Sequence, residues 1–242
     1  MCILLIAYRS HPDYDLVVAA NRDEFYARGT APADYWGDYP SVLGGRDLVA
    51  GGTWLGVNTA GYFSAVTNMR GSISPSPEHS RGHLVRDFLR LSIDCTAYLE
   101  KIAPTAPHYA GCNLLVEDRS ALHWWSKTGT RRLEAGVYAL SNTELDHEWP
   151  KVGRLKSAFA PLSLVSGVAL EDGLFEILRD RPNSRAGLHA EAFNRGLLED
   201  VIFVRADGYG TRCSTVVLRG PGKLKFIERG FDHTGNALPD LR

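Results

Sequence analysis

The sequence has little that marks a specialised class. It holds 4 cysteines, 2 methionines, no surplus of either charge and no long apolar run. Cys2, Cys95, Cys112 and Cys213 stand far apart, and no C-x-x-C pair exists, which argues against a structural zinc site. In a reducing compartment such thiols stay free. Cys95, Cys112 and Cys213 read as small buried apolar residues. With 27 basic against 28 acidic residues, the formal net charge is -1. That balance lacks the basic excess of a general nucleic-acid binder and gives no sign of a membrane-surface protein. No stretch approaches the roughly 20 apolar residues of a membrane span. The run Cys2–Ala7 is short, has no basic segment before it and is followed at once by Arg9, His11 and Asp13. It reads as a buried strand rather than a signal peptide, so the expected location is cytoplasmic.

Other motifs are missing as well. Gly44-Gly45 and Gly51-Gly52 bracket Arg46-Asp47, but no G-x-x-x-x-G-K-[ST] phosphate loop is present. There are eight histidines, with His79 and His83 spaced to share a helix face, yet no H-E-x-x-H and no C-x-x-C-H. They read as surface or loop residues, and no metal site is expected. No internal repeat or low-complexity tract interrupts the chain.

What remains is an ordinary globular composition, 44% hydrophobic and 23% charged over 242 residues, enough to bury a core without staples. Apolar runs at 3–8 and 16–20, with Ser10 to Asp13 between them, predict an N-terminal hairpin. Asn21-Arg22-Asp23-Glu24 follows directly, placing polar groups at a sheet end. Residues 26–52, rich in Gly, Pro and Asp, read as an ordered loop. Thr53–Asn58 and Tyr62–Asn68 predict a second hairpin, and 71–79 a flexible loop. Ser80 is the expected cap of a helix over 81–92, and a second helix is expected over 94–102. Short strands are expected at 113–116, 121–125 and 137–140. Helices follow near 150–160, 171–179 and 186–198, then strands at 213–219 and 223–229. The order predicts a single α+β domain over 1–242, with a two-layer sheet core and helices outside. Trp36, Trp54, Trp124, Trp125 and Trp149 read as core or pocket aromatics.

Cys2 draws attention by position. Methionine aminopeptidase removes Met1 when the second residue is small, and cysteine is small enough. Cys2 would then carry a free α-amine on the same residue as its thiol. An α-amine titrates near 7.7–8.0, so it serves as a built-in base close to neutrality. A cysteine nucleophile also needs an oxyanion donor, a nearby cation and a carboxylate to hold the amine. Asn21, Asp23, Asn68 and Asn142 follow or end apolar runs, and Arg22 and Arg212 supply cations.

Longer motifs then carry a specific resemblance. Met1-Cys2, Ala20-Asn21-Arg22-Asp23-Glu24-Phe25, Ala50-Gly51-Gly52-Thr53-Trp54-Leu55-Gly56 and Thr67-Asn68 resemble the NRDE family, also called the transport-and-Golgi-organisation protein 2 family. Ser80-Arg81-Gly82, Ser141-Asn142, Trp149-Pro150-Lys151-Val152 and Tyr209-Gly210-Thr211-Arg212 extend the match to about residue 230. That family is in turn similar to the cysteine N-terminal nucleophile hydrolases, such as choloylglycine hydrolases and penicillin V acylases. The resemblance implies a four-layer αββα sandwich. It also implies Cys2 as nucleophile, Asp23 holding the α-amine, Asn68 as oxyanion donor, Asn142 as a second site asparagine and Arg212 as their late arginine. Asn21 and Trp54 are expected at the ligand. One departure is visible. Those hydrolases carry Arg-Asn-x-Asp, whereas here the arginine sits two places later, at Arg22. Along a strand, two places keep the same face.

Two functions follow from the resemblance. One is an amidohydrolase that cleaves a non-peptide C–N amide bond of a small molecule, with no cofactor required. The other is a non-catalytic carrier on the same scaffold, binding haem or an acyl lipid.

Overall fold

The computed structural model of the chain describes residues 2–71, 79–180 and 200–238. The strands of the first half are β1 (Cys2–Tyr8), β2 (Leu16–Phe25), β3 (Thr30–Tyr35), β4 (Val42–Asp47), β5 (Leu55–Asn58) and β6 (Phe63–Asn68). Helices α1 (Arg81–Leu91) and α2 (Cys95–Ile102) follow, then β7 (Cys112–Glu117), β8 (Leu122–Ser126), β9 (Gly129–Leu133) and β10 (Gly136–Leu140). Helices α3 (Pro150–Phe159) and α4 (Gly167–Leu178) precede β11 (Arg205–Ala206), β12 (Tyr209–Gly220) and β13 (Lys223–Gly230). These form two compact units, one of Met1–Ala27, Ala135–Ser141 and Leu145–Arg242, the other of Arg28–Glu134 and Asn142–Glu144.

The first unit is a sheet with strands in the order β10-β1-β2-β12-β11, β13 also pairing with β12. Alternate residues Ile3, Leu5 and Ala7 of β1 and Val17 and Ala19 of β2 pack on Leu155, Phe159, Leu170, Leu174 and Leu178 of α3 and α4. Leu4, Ile6, Val18 and Ala20, which point to the opposite face, are equally buried. Strands buried on both faces read as continuous apolar runs rather than alternating ones, as the N-terminal hairpin does.

The second unit is a seven-stranded sheet in which β3 to β9 follow sequence order. Leu84, Val85, Phe88 and Leu89 of α1, with Tyr98, Leu99 and Ile102 of α2, cover Val42, Val66, Leu114 and Val116. Each unit is thus one helical layer on one sheet.

Several expectations are corrected. Residues 26–52 are not a loop throughout, because β3 and β4 lie within them and pair from Thr30↔Asp47 to Tyr35↔Leu43. Their glycines and Pro32 hid the strands. Pro32 sits on an edge strand, where a missing donor is tolerated. Gly44 is required by close approach, since a Cβ there would fall 2.7 Å from the Leu55 carbonyl oxygen. The polar strand β9 was also missed, and β12 begins four residues before the expected strand. Ser80 occupies the N-cap position, but its hydroxyl makes no capping bond. His79 lies outside α1, so it shares no helix face with His83. The loop expected at 71–79 and the helix at 186–198 fall largely or wholly outside the described residues. Among the described residues, no helix is long and apolar enough to cross a membrane.

Glycine at Gly52 is dictated by packing. A Cβ there would lie 2.5 Å from the carbonyl carbon of Gly82 and 2.6 Å from its oxygen, both backbone atoms that cannot swing away. Gly52→Ala should therefore cost about 1–3 kcal/mol of overpacking strain. Gly153, inside α3 with open space around it, is the contrast. Gly153→Ala should stabilise by about 0.5–1 kcal/mol. Chemical denaturation of both variants checks the two signs.

Candidate active site

The polar quartet Asn21–Glu24 lies inside β2, which runs on to Phe25 instead of stopping at Ala20. Pairing explains the extension. Cys2 of β1 stands directly opposite Arg22, and Arg22 stands opposite Cys213 of β12. Residues opposite each other in an antiparallel pair share a face, with Cβ atoms about 4.5–5.5 Å apart. The shifted arginine is therefore in register with the thiol it was expected to serve. Arg22 is buried, and its guanidinium lies 3.8 Å from the Glu24 carboxylate.

The backbone of Cys2 is tied down by Ser141 at the end of β10, whose hydroxyl donates to the Cys2 carbonyl at 2.8 Å. Burial pushes the Cys2 thiol above its ordinary value, and the negative charge of Asp23 pushes the same way. The positive charge of the chain's amino terminus, a hydrogen bond from the Asp23 backbone amide and the charge of Arg22 pull it down. The balance favours the thiol over the thiolate, so a base is needed to activate it.

Asp23 is buried, and one carboxylate oxygen accepts a 2.7 Å bond from the Thr211 hydroxyl. That hydroxyl in turn accepts from the Val204 amide at 2.9 Å. Tyr209 donates to the Asp23 carbonyl. A β-bulge between Thr211 and Cys213 changes the register here. Burial raises the Asp23 carboxyl to about 6, against the opposing pull of the chain's amino terminus, Lys151, the Thr211 bond and Arg22. Thr211 and Lys151 were not among the expected site residues, although both lie in motifs that carried the resemblance. For Lys151 the available signal was a lysine inside an apolar helical pattern. It is 0% exposed, and its ammonium lies 5.2 Å from the Trp149 ring centroid.

Asn21 serves a different purpose from the one expected. Its amide donates to the carbonyls of Leu178 and Ile202, and its oxygen accepts from the Ser214 hydroxyl at 2.6 Å. With both amide hydrogens used, the oxygen bonded to Ser214 and the residue fully buried, Asn21 is an internal strut of the first unit. Arg212 donates to the Phe25 and Tyr26 carbonyls and lies over the Tyr26 ring, so it secures the end of β2.

Asn68 and Asn142 belong to the second unit, and there they meet. The Asn142 amide donates to the Asn68 carbonyl at 2.8 Å, and the Arg70 amide donates to the Asn142 carbonyl. Asn113 braces both neighbours, donating to the Thr67 hydroxyl and the Thr143 carbonyl while accepting from Trp124. Trp54 is partly exposed on the segment before β5. Trp36 and Trp149 are buried, and Trp125 lines an open cavity of about 440 Å³ with Ala103, Ala106, Pro107, Ser126 and Lys127.

Comparison with known proteins gives the family and the fold. A Bos taurus transport and Golgi organization protein 2 homolog is 34% identical, the match covering 96% of this chain and 93% of that protein. The Drosophila melanogaster transport and Golgi organization protein 2 is 28% identical over 97% and 95%. Among solved structures, a Caenorhabditis elegans N-acylethanolamine-hydrolyzing acid amidase ortholog superposes with a TM-score of 0.55 at 12% identity, over 90% of this chain and 92% of that one. This likeness bears out the expected α+β fold of the N-terminal nucleophile hydrolase type. Residues 1–233 match the family model described as Transport and Golgi organisation 2, and the chain belongs to that family.

Proposed function

We propose that this protein is a cysteine amidohydrolase that cleaves a non-peptide C–N amide bond of a small molecule, with Cys2 as nucleophile once Met1 is removed. The observation that carries this reading is the row Cys2–Arg22 beside a buried Asp23. The Cys2 α-amine takes the thiol proton as sulfur attacks the amide carbonyl. Asn68, with Asn142 or a backbone N–H, receives the oxyanion, a role carried over from the family resemblance. The amine then passes the proton to the leaving nitrogen as the C–N bond breaks. Water attacks the thioester, releasing the acid and restoring the thiol.

Asp23 supports the reading through its cost. A carboxyl whose folded-state pKa is raised binds its proton more tightly in the native state than in the unfolded chain. The stability this gives is fully present below the ordinary value of 3.8 and is lost as pH rises through about 6. Ionised Asp23 therefore costs about 3 kcal/mol near neutrality. A neutral residue would serve the fold better, which points to a use for the charge.

A carrier reading on the same scaffold rests on the Trp125 cavity, whose apolar walls and Lys127 suit an anionic amphiphile such as an acyl lipid or haem. A haem titration separates it from the hydrolase reading. The carrier reading expects a saturable Soret shift that Trp125→Ala abolishes, and an unchanged Soret band counts against it.

Two outcomes are expected of the enzyme. Cys2→Ala should abolish amide hydrolysis and labelling by a thiol-reactive amide probe, and unchanged turnover in this variant would refute the proposal. The acid limb of kcat/KM should follow the Cys2 α-amine, near its ordinary value of about 7.7–8.0, with activity lost below it as the base gains its proton. Asp23→Asn should remove most of the rate, because the carboxylate that holds the α-amine is lost.

A further inference from the structure

Successive residues of a strand point to opposite faces, so the pair Trp124-Trp125 of β8 divides between two environments. Trp125 packs on the helix side with Leu114 and Val116. Trp124 therefore takes the other face, opposite Leu115 of β7. On that face Leu115, Leu122 and Ser126 are buried, while Trp124 stays partly exposed. Left unheld, such an indole would turn about its side-chain torsions.

Asn113 holds it. Its Oδ1 accepts from the Trp124 indole N–H at 3.0 Å. Its amide donates to Thr67 Oγ1 at 3.1 Å and to the Thr143 carbonyl at 2.8 Å. Asn113 is fully buried, so both amide hydrogens and the oxygen are spent inside the protein. Thr67 and Thr143 adjoin Asn68 and Asn142, and the Asn142 amide donates to the Asn68 carbonyl. One side chain thus fastens the indole to the two segments that carry these asparagines, all within the second unit. A contact surface needs such support, because a group that binds must be locked in one geometry by its surroundings. The bond also decides what the indole can touch. An indole has one donor and no acceptor, so with its N–H spent it offers carbon surface and a π-face. Its complement is an apolar or aromatic group.

We infer that the Trp124 indole, held in register with Asn68 and Asn142 by Asn113, is the surface that selects the acyl group of the substrate. The inference rests on the amidohydrolase reading. In that reading the asparagines hold the carbonyl oxygen. The acyl group stays with that oxygen through both steps, whereas the amine leaves after the first. A surface tied to the asparagines therefore meets the acyl half. Asn113 touches no substrate and is a positioning residue.

Two measurements on the full-length protein test this. The first is kcat/KM for the p-nitroanilides of phenylacetic and acetic acid. Trp124→Ala should lower the phenylacetyl-to-acetyl ratio about tenfold or more. Asn113→Leu, which frees the indole without removing it, should lower the same ratio. A ratio unmoved in either variant overturns the inference. The second measurement needs neither turnover nor a stable core variant. The 15N–1H signal of the Trp124 indole, assigned with Trp124→Phe, is followed as phenylacetate is added. It should shift saturably, and acetate at the same concentration should leave it in place. A signal that phenylacetate does not move overturns the inference. If the amidohydrolase reading fails, neither anilide is cleaved, yet the indole still answers to phenylacetate. If the Trp124 role fails, cleavage proceeds with the ratio unmoved in Trp124→Ala and the indole signal fixed.

Discussion

The register of β2 between β1 and β12 is the constraint on which the chemistry of the first unit depends. Cys2↔Arg22↔Cys213 sets a thiol, a guanidinium and a second thiol across three neighbouring strands. Strands lie about 4.8 Å apart, so the two cysteines are about 10 Å from each other, too far for a disulfide. Arg22 therefore separates two sulfurs that stay free. A slip of one residue would turn Arg22 to the helices and Asp23 toward Cys2's face, exchanging the cation and the carboxylate. The side-chain bonds of Asn21 to the Leu178 and Ile202 carbonyls and to the Ser214 hydroxyl oppose that slip, because a shift of one residue would turn the amide away from all three. A buried polar strut thus maintains the register.

The same economy appears in how polar groups are held. Asn21 would be costly inside a buried strand, yet three bonds satisfy it and fasten β2 to Leu178, Ile202 and Ser214. Ser141 ties β10 to the Cys2 carbonyl, fixing the first residue of β1 where chain ends usually fray. In the second unit Asn113 braces the residues next to Asn68 and Asn142 from one buried side chain. These asparagines and serines act as fasteners. In the proposed reaction the groups of the first unit that do chemistry are Cys2, Arg22 and Asp23.

The sequence announced much of this where local pattern and tertiary environment agree. The hairpin of β1 and β2 was legible because continuous apolar residues flank plain turn chemistry. Helix α1 was legible because Leu84, Val85, Phe88 and Leu89 keep helical spacing. Cys2, Arg22 and Asp23 were legible as a group from position and motif. Elements set by long-range pairing were less visible. β3 and β4 hide behind glycine and proline, and β9 is an edge strand of polar residues with almost no apolar signal. Lys151 was hidden by chemistry instead, because a lysine in a helix reads as solvated until its burial is seen. Asn21 was misread for the reverse reason, since an asparagine in a motif looks functional until its bonds are traced.

The account turns on one chemical event, the exposure of an α-amine on Cys2. The most direct measurement is tandem mass spectrometry of the N-terminal peptide after the purified protein has reacted with a thiol-directed amide probe. The account predicts a peptide that begins at Cys2, with a free α-amine and the probe on Sγ. A peptide that retains Met1, or a probe found on Cys95, Cys112 or Cys213 with Cys2 unmodified, would contradict it.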